Sequence, residues 1–349
     1  MIITPESKLE EGAAELLGRI GIERPFTLVP IRGGRNNRVF RVDTGGEAFF
    51  LKSYFSPPDD HRDRLHHEYG FTTFAWSCGI RSVARPLGCL PDLRLALYEY
   101  IHGKPAAGRD SSMEDIRQAV RFILSLNTHR REPGARDLPS ASEACFSLRE
   151  HVENTEARVR RLSAIDISDE CGRSADESVR RDLIPLWMET RERILSAADN
   201  GMCGRVLEFS ERWISPSDFG FHNAIEEDEG RIRFIDFEYA GWDDPAKLLC
   251  DFANQPDRIL DPELSGRFTE AIIGEDSRPD FLRFRYGLLE PLYQIKWACI
   301  ILNDFLPSGK ERRTFTLSDS AVSRRQDQLA KLAVMLERAG RSLSFIPKS

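Results

Sequence analysis

The sequence has few cysteines, and their spacing matches no common motif. Its 349 residues include seven cysteines, an odd number without a C-x-x-C pair. This pattern indicates neither a disulfide framework nor a zinc site. The sequence also lacks a run of 18 apolar residues and a basic start followed by an apolar stretch. We therefore expect a cytoplasmic chain without a membrane segment.

An excess of positive charge is also absent. The 56 acidic residues outnumber the 49 basic ones, which gives a formal net charge of -7. A protein that binds duplex nucleic acid usually carries a basic surface. The balance therefore predicts no nucleic-acid partner, and the sequence indicates no obligate protein partner.

Three well-known motifs are missing. The sequence contains no G-x-x-x-x-G-K-[ST], no G-x-G-x-x-G and no G-x-S-x-G. Their absence argues against a P-loop enzyme, a dinucleotide-binding domain and a hydrolase with a nucleophile elbow.

The first hundred residues are patterned as a small sheet with helices. Residues 8–19 have helical periodicity, and the β-rich runs FTLVPI, RVFRVDT and EAFFLKSY follow. Glycine pairs separate these runs, which predicts an antiparallel meander. Residues 59–77 return to helical spacing, before two apolar runs at 82–90 and 94–101. We expect a first lobe at residues 1–101.

The remainder, residues 102–349, is patterned mainly as helices and is the expected second lobe. The turn-rich stretch 102–112 marks the boundary. Residues 165–180 are predicted to form an exposed loop. Helical periodicity appears near 113–128, 143–164, 178–198, 262–273, 279–305 and 318–340. One island, residues 213–245, has two apolar runs around an acidic turn and predicts a hairpin.

Polar residues suited to phosphoryl transfer are concentrated in this island. The reaction needs a cation on the phosphates, metal ligands and a carboxylate near the attacking hydroxyl. Asp218, Asn223 and Asp236 offer a base and two oxygen ligands for Mg²⁺. Alternatively, Asp218 and Asn223 cap turns and Asp236 only ends a strand.

Lys52 is the candidate cation. It ends the β-run EAFFLK, where apolar neighbours would hold its stem and direct the ammonium inward. Glu68 lies 16 residues later among apolar positions of the predicted helix and is a suitable partner. The alternative is that both side chains are exposed.

Glycines precede the run RVFRV. Gly33 and Gly34 would let backbone N–H groups approach a phosphate closely. A glycine pair is also common in a simple hairpin.

Several segments occur together in the order expected of one family: GGRNNRVFRV, FFLKSY, HHEYGF, ALYEYIHGK, SDFGFHN and FIDFEYAGWDDP. Over roughly residues 25–310 the chain resembles the aminoglycoside phosphotransferase and choline kinase-like superfamily. The resemblance implies an α+β, bilobal protein-kinase-like fold. A small antiparallel sheet with one helix would form the nucleotide-binding N-lobe at residues 1–101. The catalytic and acceptor-binding C-lobe, residues 102–349, would be mostly helical.

The resemblance also implies roles for residues of the first lobe. Gly33, Gly34 and Asn37 would lie in the loop that covers the phosphates of ATP or another nucleoside triphosphate. Lys52 would contact those phosphates and pair with Glu68. The hinge that receives the base would consist of Glu99, Tyr100 and Ile101.

For the island, the resemblance implies that Asp218 orients or deprotonates the acceptor hydroxyl. Asn223 and Asp236 would bind Mg²⁺. The family usually has a histidine two residues before the catalytic aspartate, whereas this chain has Pro216. The geometry of the loop is therefore open.

A small-molecule acceptor is expected because only 15 residues separate Asp236 from Asp251, too few for a peptide-docking segment. The candidate acceptor residues are Glu238, Trp242, Asp244 and Asp251. Asp244 and Asp251 could instead cap or flank a helix that begins near Pro245. Two other functions compete with a small-molecule kinase, namely a nucleotide-binding pseudokinase that acts as a scaffold and a protein kinase.

Overall fold

The computed structural model describes residues 5–31, 37–55, 62–199, 205–256, 260–307 and 321–346. The chain divides into two compact units. Unit 1 comprises Met1–Glu143 and Ile214–Trp242, and unit 2 comprises Ala144–Trp213 and Asp243–Ser349. The lobe boundary between residues 101 and 102 was predicted as a functional division, and it stays a prediction.

Unit 1 begins with a helix and a five-stranded antiparallel sheet. The elements are α1 (Pro5–Arg19), β1 (Thr27–Pro30), β2 (Arg38–Asp43), β3 (Ala48–Ser53), α2 (Arg64–Ser77), β4 (Pro86–Leu90) and β5 (Leu95–Glu99). The strand order is β1-β2-β3-β5-β4, which confirms the predicted meander.

Helix α1 covers one face of this sheet. Its apolar residues recur at helical spacing, so they form a stripe that packs on the strands. They share a core with residues of β2, β3 and β5. The shared core contains Leu9, Ala13, Leu16, Leu17, Phe40, Val42, Leu51, Leu95 and Leu97.

The rest of unit 1 places the predicted hairpin beside a helix. It contains β6 (Lys104–Pro105), α3 (Met113–Thr128), β7 (Trp213–Ser215), β8 (Ala224–Glu226), β9 (Ile232–Phe234) and β10 (Gly241–Asp243). The first residue of β7 and the last residue of β10 belong to unit 2. Strands β8 and β9 form an antiparallel hairpin, and β6 pairs with β8. A capping box of Ser112 and Asp115 starts α3.

Aromatic packing and one backbone bond tie the hairpin to its surroundings. Phe234 of β9 stacks on Phe122 of α3 at a centroid distance of 4.9 Å and contacts Phe219 at 4.8 Å. The Phe234 amide donates a 2.7 Å hydrogen bond to the carbonyl of Ser82. The hairpin is therefore held in a buried setting.

Unit 2 is helical. Its helices are α4 (Leu148–Arg161), α5 (Glu170–Ser178), α6 (Ile184–Asp199), α7 (Pro245–Ala253), α8 (Pro262–Gly274), α9 (Pro279–Ile301) and α10 (Ala321–Ser344). Helix α9 is central and packs against α4, α6, α7, α8 and α10. Among the residues that the structure describes, no helix has the length and apolar character needed to cross a membrane.

The prediction of an exposed loop at residues 165–180 is wrong. Asp169 caps α5 by accepting a hydrogen bond from the amide of Gly172, and the helix runs from Glu170 to Ser178. A π-helical turn, Val179–Leu183, then leads into α6. Only a few buried residues, such as Ala175, mark the inner face, so the polar composition conceals the helical pattern.

Candidate active site

Lys52 and Glu68 form a buried ion pair. Lys52 lies in β3 between β2 and β5, opposite Val39 and Ala96. Its side chain is 5% exposed, and that of Glu68, from α2, is 7% exposed. Nζ lies 2.6 Å from Oε2 of Glu68. The predicted pairing is therefore confirmed, and the exposed alternative does not hold.

Lys52 also contacts Asp236 of the island. Nζ lies 2.5 Å from Oδ1 of Asp236, whose side chain is 42% exposed. Asp236 follows β9 with a φ of 66°, an unusual conformation for a residue with a side chain. Lys52 from β3, Glu68 from α2 and Asp236 after β9 therefore meet at one point. Asp236 is the solvent-exposed member of the three.

Burial and the neighbouring charges have opposite effects on the pKa values of Lys52 and Glu68. Burial works against the charge on Lys52, but Asp236 and Glu68 raise the pKa of Lys52 well above its ordinary value. Burial raises the pKa of Glu68 to about 7, although Lys52 opposes that shift. A buried charge is costly without a partner, so this ammonium depends on both carboxylates.

The hairpin brings Asn223 and Asp236 to the same end of two paired strands. Asn223 directly precedes β8, and Asp236 follows β9 by two positions. The amide of Ile235 donates a 3.0 Å hydrogen bond to the Asn223 carbonyl. Asn223 Nδ2 donates to the backbone oxygen of Asp218 at 3.0 Å and to its Oδ2 at 3.4 Å.

These hydrogen bonds leave oxygen atoms suited to a hard cation. The Asn223 side chain uses its NH₂ group toward Asp218, so its amide oxygen does not take part in those bonds. Asp236 receives Lys52 on Oδ1 and has a second oxygen. Mg²⁺ prefers few protein oxygens, with phosphates and water completing its shell. The donor set therefore fits Mg²⁺.

The loop that carries Asp218 is held without the usual histidine. The side chain of Asn127, in α3, accepts a hydrogen bond from the Ile214 amide and donates one to the Ile214 carbonyl, at 2.9 and 3.0 Å. The Ser217 amide donates to Oγ of Ser215 at 3.0 Å. Ser217 has a φ of 64°, so these bonds help to fix a strained loop. These bonds support the loop in place of residue 216, because the side chain of Pro216 cannot form a hydrogen bond.

His222 is a neighbour of Asp218 that sequence reasoning missed. Its Nε2 lies 3.3 Å from Oδ1 of Asp218, and its Nδ1 is buried without a hydrogen-bond partner among the described residues. The spacing offered a signal, because His222 follows Asp218 by four residues and directly precedes Asn223. It is placed to orient the Asp218 carboxylate.

Glu238 and Asn37, which were predicted for different parts of the site, contact each other. Nδ2 of Asn37 donates to Oε2 of Glu238. Oε1 of Glu238 lies 3.8 Å from Nε of Arg64, at the start of α2. Arg64 was not identified from the sequence because its surroundings are strongly polar. Gly33 and Gly34 lie outside the described residues.

The predicted hinge is fastened to the hairpin by Arg233. Glu99 ends β5, and its carboxylate accepts a hydrogen bond from Nη2 of Arg233, which also donates to the Val83 carbonyl at 2.8 Å. The Arg41 guanidinium lies 5.1 Å from the Tyr100 ring centroid, and Ile101 is buried. Arg233 was missed because it stands inside the apolar run RIRFI.

Two predicted acceptor residues are buried and engaged by protein groups. Trp242 donates from Nε1 to the Ala135 carbonyl at 2.9 Å. Asp244 caps α7 by accepting from the Ala246 amide at 2.8 Å, so the capping alternative is observed. Asp244 also accepts from Arg285 Nε at 2.7 Å. Their acceptor roles stay predictions, without support from these contacts.

Asp244 and Asp251 belong to buried charge networks of unit 2. His151 Nε2 lies 2.9 Å from Oδ2 of Asp244. Burial would raise the pKa of Asp244, but Arg285 and His151 lower it to about 2. Asp251 lies 3.2 Å from the ammonium of Lys247. The structure therefore groups Asp218, Asn223 and Asp236 with Lys52 and Glu68, and gives these two aspartates other partners.

The chain is similar in sequence and fold to known phosphotransferases. Residues 27–286 match the family described as "Phosphotransferase enzyme family". None of the curated proteins matches the sequence. Spectinomycin phosphotransferase, solved with ADP and spectinomycin, has a TM-score of 0.64 at 13% identity, covering 95% of this chain and 98% of that one.

Two bacterial kinases share the fold. A choline/ethanolamine kinase family protein from Mesorhizobium loti has a TM-score of 0.55 at 17% identity, over 97% of this chain and 98% of its own. Choline kinase LicA from Streptococcus pneumoniae has a TM-score of 0.54 at 14% identity, covering 93% of this chain and 99% of its own. These likenesses confirm the kinase-like fold, and the family match covers well over half of the sequence. The chain therefore belongs to the phosphotransferase enzyme family, as its motifs indicated, and is a phosphotransferase for an alcohol group.

Proposed function

We propose that this enzyme transfers the γ-phosphoryl group of ATP, or of another nucleoside triphosphate bound with Mg²⁺, to a hydroxyl of a small molecule. The acceptor class is a sugar, an amino alcohol or an aminoglycoside-like compound. The proposal rests on one arrangement: the Lys52 ammonium meets the Glu68 and Asp236 carboxylates at one point. Asn223, which contacts Asp218, is hydrogen-bonded through its carbonyl to Ile235, the residue before Asp236.

Lys52 is the group that would contact the nucleotide phosphates. In the structure its ammonium is held by Glu68 and Asp236, so it is aimed and charged before a ligand arrives. A phosphate oxygen can join this ammonium as a further acceptor, because an ammonium has three donors. Preorganisation of this kind lowers the cost of stabilising charge in the transition state.

Asp218 would accept the proton of the acceptor hydroxyl. A new oxygen–phosphorus bond forms as the bond between the γ-phosphorus and the bridging oxygen breaks, and the nucleoside diphosphate leaves. Asn223 and His222 contact the Asp218 side chain and would hold it toward the acceptor. Positioning of this kind supplies most of the catalysis in phosphoryl transfer.

Asn223 and Asp236 would hold Mg²⁺ through their oxygen atoms. When bound, the ion neutralises charge on the phosphates and orients them. The strand pairing next to both residues, Ala224 with Phe234, fixes their spacing before any ligand binds. A cytoplasmic location fits a reaction that consumes a nucleoside triphosphate.

The test is transfer of γ-labelled phosphate from Mg-ATP to a panel of acceptors. The panel contains sugars, choline, ethanolamine and aminocyclitols such as spectinomycin, because the structural neighbours are named for several of these compounds. Labelled product from at least one acceptor supports the proposal. Failure of every acceptor, with the protein shown to bind nucleotide, would favour the scaffold alternative instead.

The family match does not favour a scaffold without turnover. A non-catalytic protein has no physical need for a base, two metal ligands and a paired lysine together. Thermal unfolding with and without Mg-ATP separates the two cases, since a ligand that binds the native state raises its stability. Stabilisation together with turnover identifies the enzyme. Label incorporated into a protein substrate would indicate a protein kinase.

A further inference from the structure

Three side chains with different metal-binding atoms meet at the ends of two helices of unit 1. They are Cys78, His129 and Glu132, and their ligand atoms all lie within 4.8 Å of one another. Nδ1 of His129 lies 2.5 Å from Oε1 of Glu132, and Sγ of Cys78 lies 3.7 Å from Oε2 of the same carboxylate. None of these residues contributes to the candidate active site.

We propose that Cys78, His129 and Glu132 form a Zn²⁺ site with three protein ligands and one open position. Zn²⁺ binds cysteine, histidine and carboxylate side chains tetrahedrally. Its bond lengths place neighbouring ligand atoms about 3.3–3.6 Å apart. The distance between sulfur and the Glu132 oxygen is already close to that range. The hydrogen bond between His129 and Glu132 would open by about 1 Å, which a side-chain rotation allows.

The backbone holds the three residues where helices end. Cys78 is the C-cap residue of α2, and its amide donates to the Phe74 carbonyl at 3.1 Å. His129 is the C-cap residue of α3. The Glu132 amide donates to the His129 carbonyl at 3.0 Å, which closes a short turn. Ligands on fixed backbone give a site with little ordering cost.

The charge and exposure of the ligands suit a divalent ion. A thiolate and a carboxylate together balance the charge of Zn²⁺, and the imidazole binds as the neutral form. On binding, the thiol proton goes to solvent, and the neutral imidazole of His129 binds through Nδ1 with its one proton on Nε2. The His129 side chain is 30% exposed and that of Glu132 is 53% exposed, so an ion can enter from water.

Bound metal would tie α2 to α3 far from the proposed chemistry. Glu68 and Cys78 lie ten positions apart along α2, about 15 Å at the helical rise. The inference therefore does not depend on the proposed function. The sequence did not indicate this site, because Cys78 and His129 are 51 positions apart and match no zinc motif.

The test is competition of the metal-free, full-length protein with a chromophoric chelator for Zn²⁺. We expect one Zn²⁺ per chain, and affinity lower by roughly 100-fold or more in Cys78→Ser, His129→Ala and Glu132→Gln, since even residues behind the ligands change affinity 10- to 100-fold. Cys89→Ser is the matched control, a half-buried cysteine of unit 1, and should bind as the wild type does.

Co²⁺ supplies a second readout that a folding defect does not imitate. Wild-type protein should show the intense near-ultraviolet absorption of a cobalt–thiolate bond, and Cys78→Ser should lose it while keeping the wild-type circular dichroism and phosphotransferase activity. Zn²⁺ binding that is unchanged by all three substitutions, or a cobalt–thiolate band that survives in Cys78→Ser, would overturn the proposal.

Discussion

The Nζ atom of Lys52 lies 2.5 Å from Oδ1 of Asp236, although the two residues are 184 positions apart in the sequence. Strand β3 and the turn after the β8–β9 hairpin therefore share one site. In this state the lysine occupies an oxygen of a proposed Mg²⁺ ligand. We expect Mg²⁺ to use the second carboxylate oxygen of Asp236 and a phosphate oxygen to join Lys52 as a further acceptor.

Replacing Lys52 should weaken nucleotide binding. In Lys52→Met the stem is kept and the ammonium is lost, so a charge-assisted hydrogen bond to phosphate disappears. The affinity for ADP should fall about 10- to 100-fold, as measured by calorimetric titration. Lys8→Met, at an exposed position of α1, should bind ADP normally. Equal affinities of Lys52→Met and wild type would remove Lys52 from the nucleotide site.

Replacing Asp218 should remove catalysis and spare nucleotide binding. Asp218→Asn keeps the shape of the side chain and cannot accept the hydroxyl proton. We expect kcat to fall by about 10²- to 10⁴-fold, with the dissociation constant of ATP within a few-fold of wild type. Asp228→Asn, at an exposed position in the turn between β8 and β9, is the control. Near-normal turnover in Asp218→Asn would exclude Asp218 as the base.

Arg233 should contribute to stability through its bonds to Glu99 and Val83. Arg233→Met leaves the Glu99 carboxylate and the Val83 carbonyl without their donor. We expect the free energy of unfolding in urea to fall by about 2 kcal/mol. Arg231→Met changes an exposed arginine of the same hairpin, 64% exposed and paired with Glu227, and should cost less than about 1 kcal/mol. A similar loss in both variants would argue against a specific role for Arg233.

Asp244 should make stability depend on acid pH. The folded pKa of Asp244, about 2, is below the ordinary value of about 3.9. A lowered pKa gives stability that is fully present above pH 4 and is lost as the pH falls toward 2. The contribution is about 2 kcal/mol.

The measurement for Asp244 is the slope of unfolding free energy between pH 5 and pH 2.5. Asp244→Asn should flatten it relative to wild type. Asp261→Asn removes the charge from the equivalent cap of α8 at an exposed position and should leave the slope unchanged. An unaltered slope in Asp244→Asn would contradict the buried network of Asp244, His151 and Arg285.

The elements with strong periodicity were predictable from the sequence. Alternating apolar residues identified β2 and β3, and the placement of Lys52 in a buried strand followed from its apolar neighbours. The hairpin around Gly230 was predictable because an acidic turn separates two apolar runs. Helix α5 was not, because its buried face is small and its surface is polar.

Contacts made by charged residues from distant segments were harder to predict. Arg233 looked like an interruption of an apolar strand, and only the fold shows that it reaches Glu99. Asp244 could be an acceptor ligand or a helix cap on sequence grounds, and the distinction depends on Arg285 and His151 from other helices. The meeting of Cys78, His129 and Glu132 likewise depends on the packing of two helix ends.

Lys52, Asn223 and Asp236 are proposed to surround one Mg-nucleotide, and the Mg²⁺ dependence of ADP binding in wild type and Asp236→Asn tests this arrangement. We expect Mg²⁺ to strengthen ADP binding to wild type and this gain to be lost in Asp236→Asn, while ADP without Mg²⁺ still binds. The same Mg²⁺-dependent gain in both proteins would exclude Asp236 as a Mg²⁺ ligand.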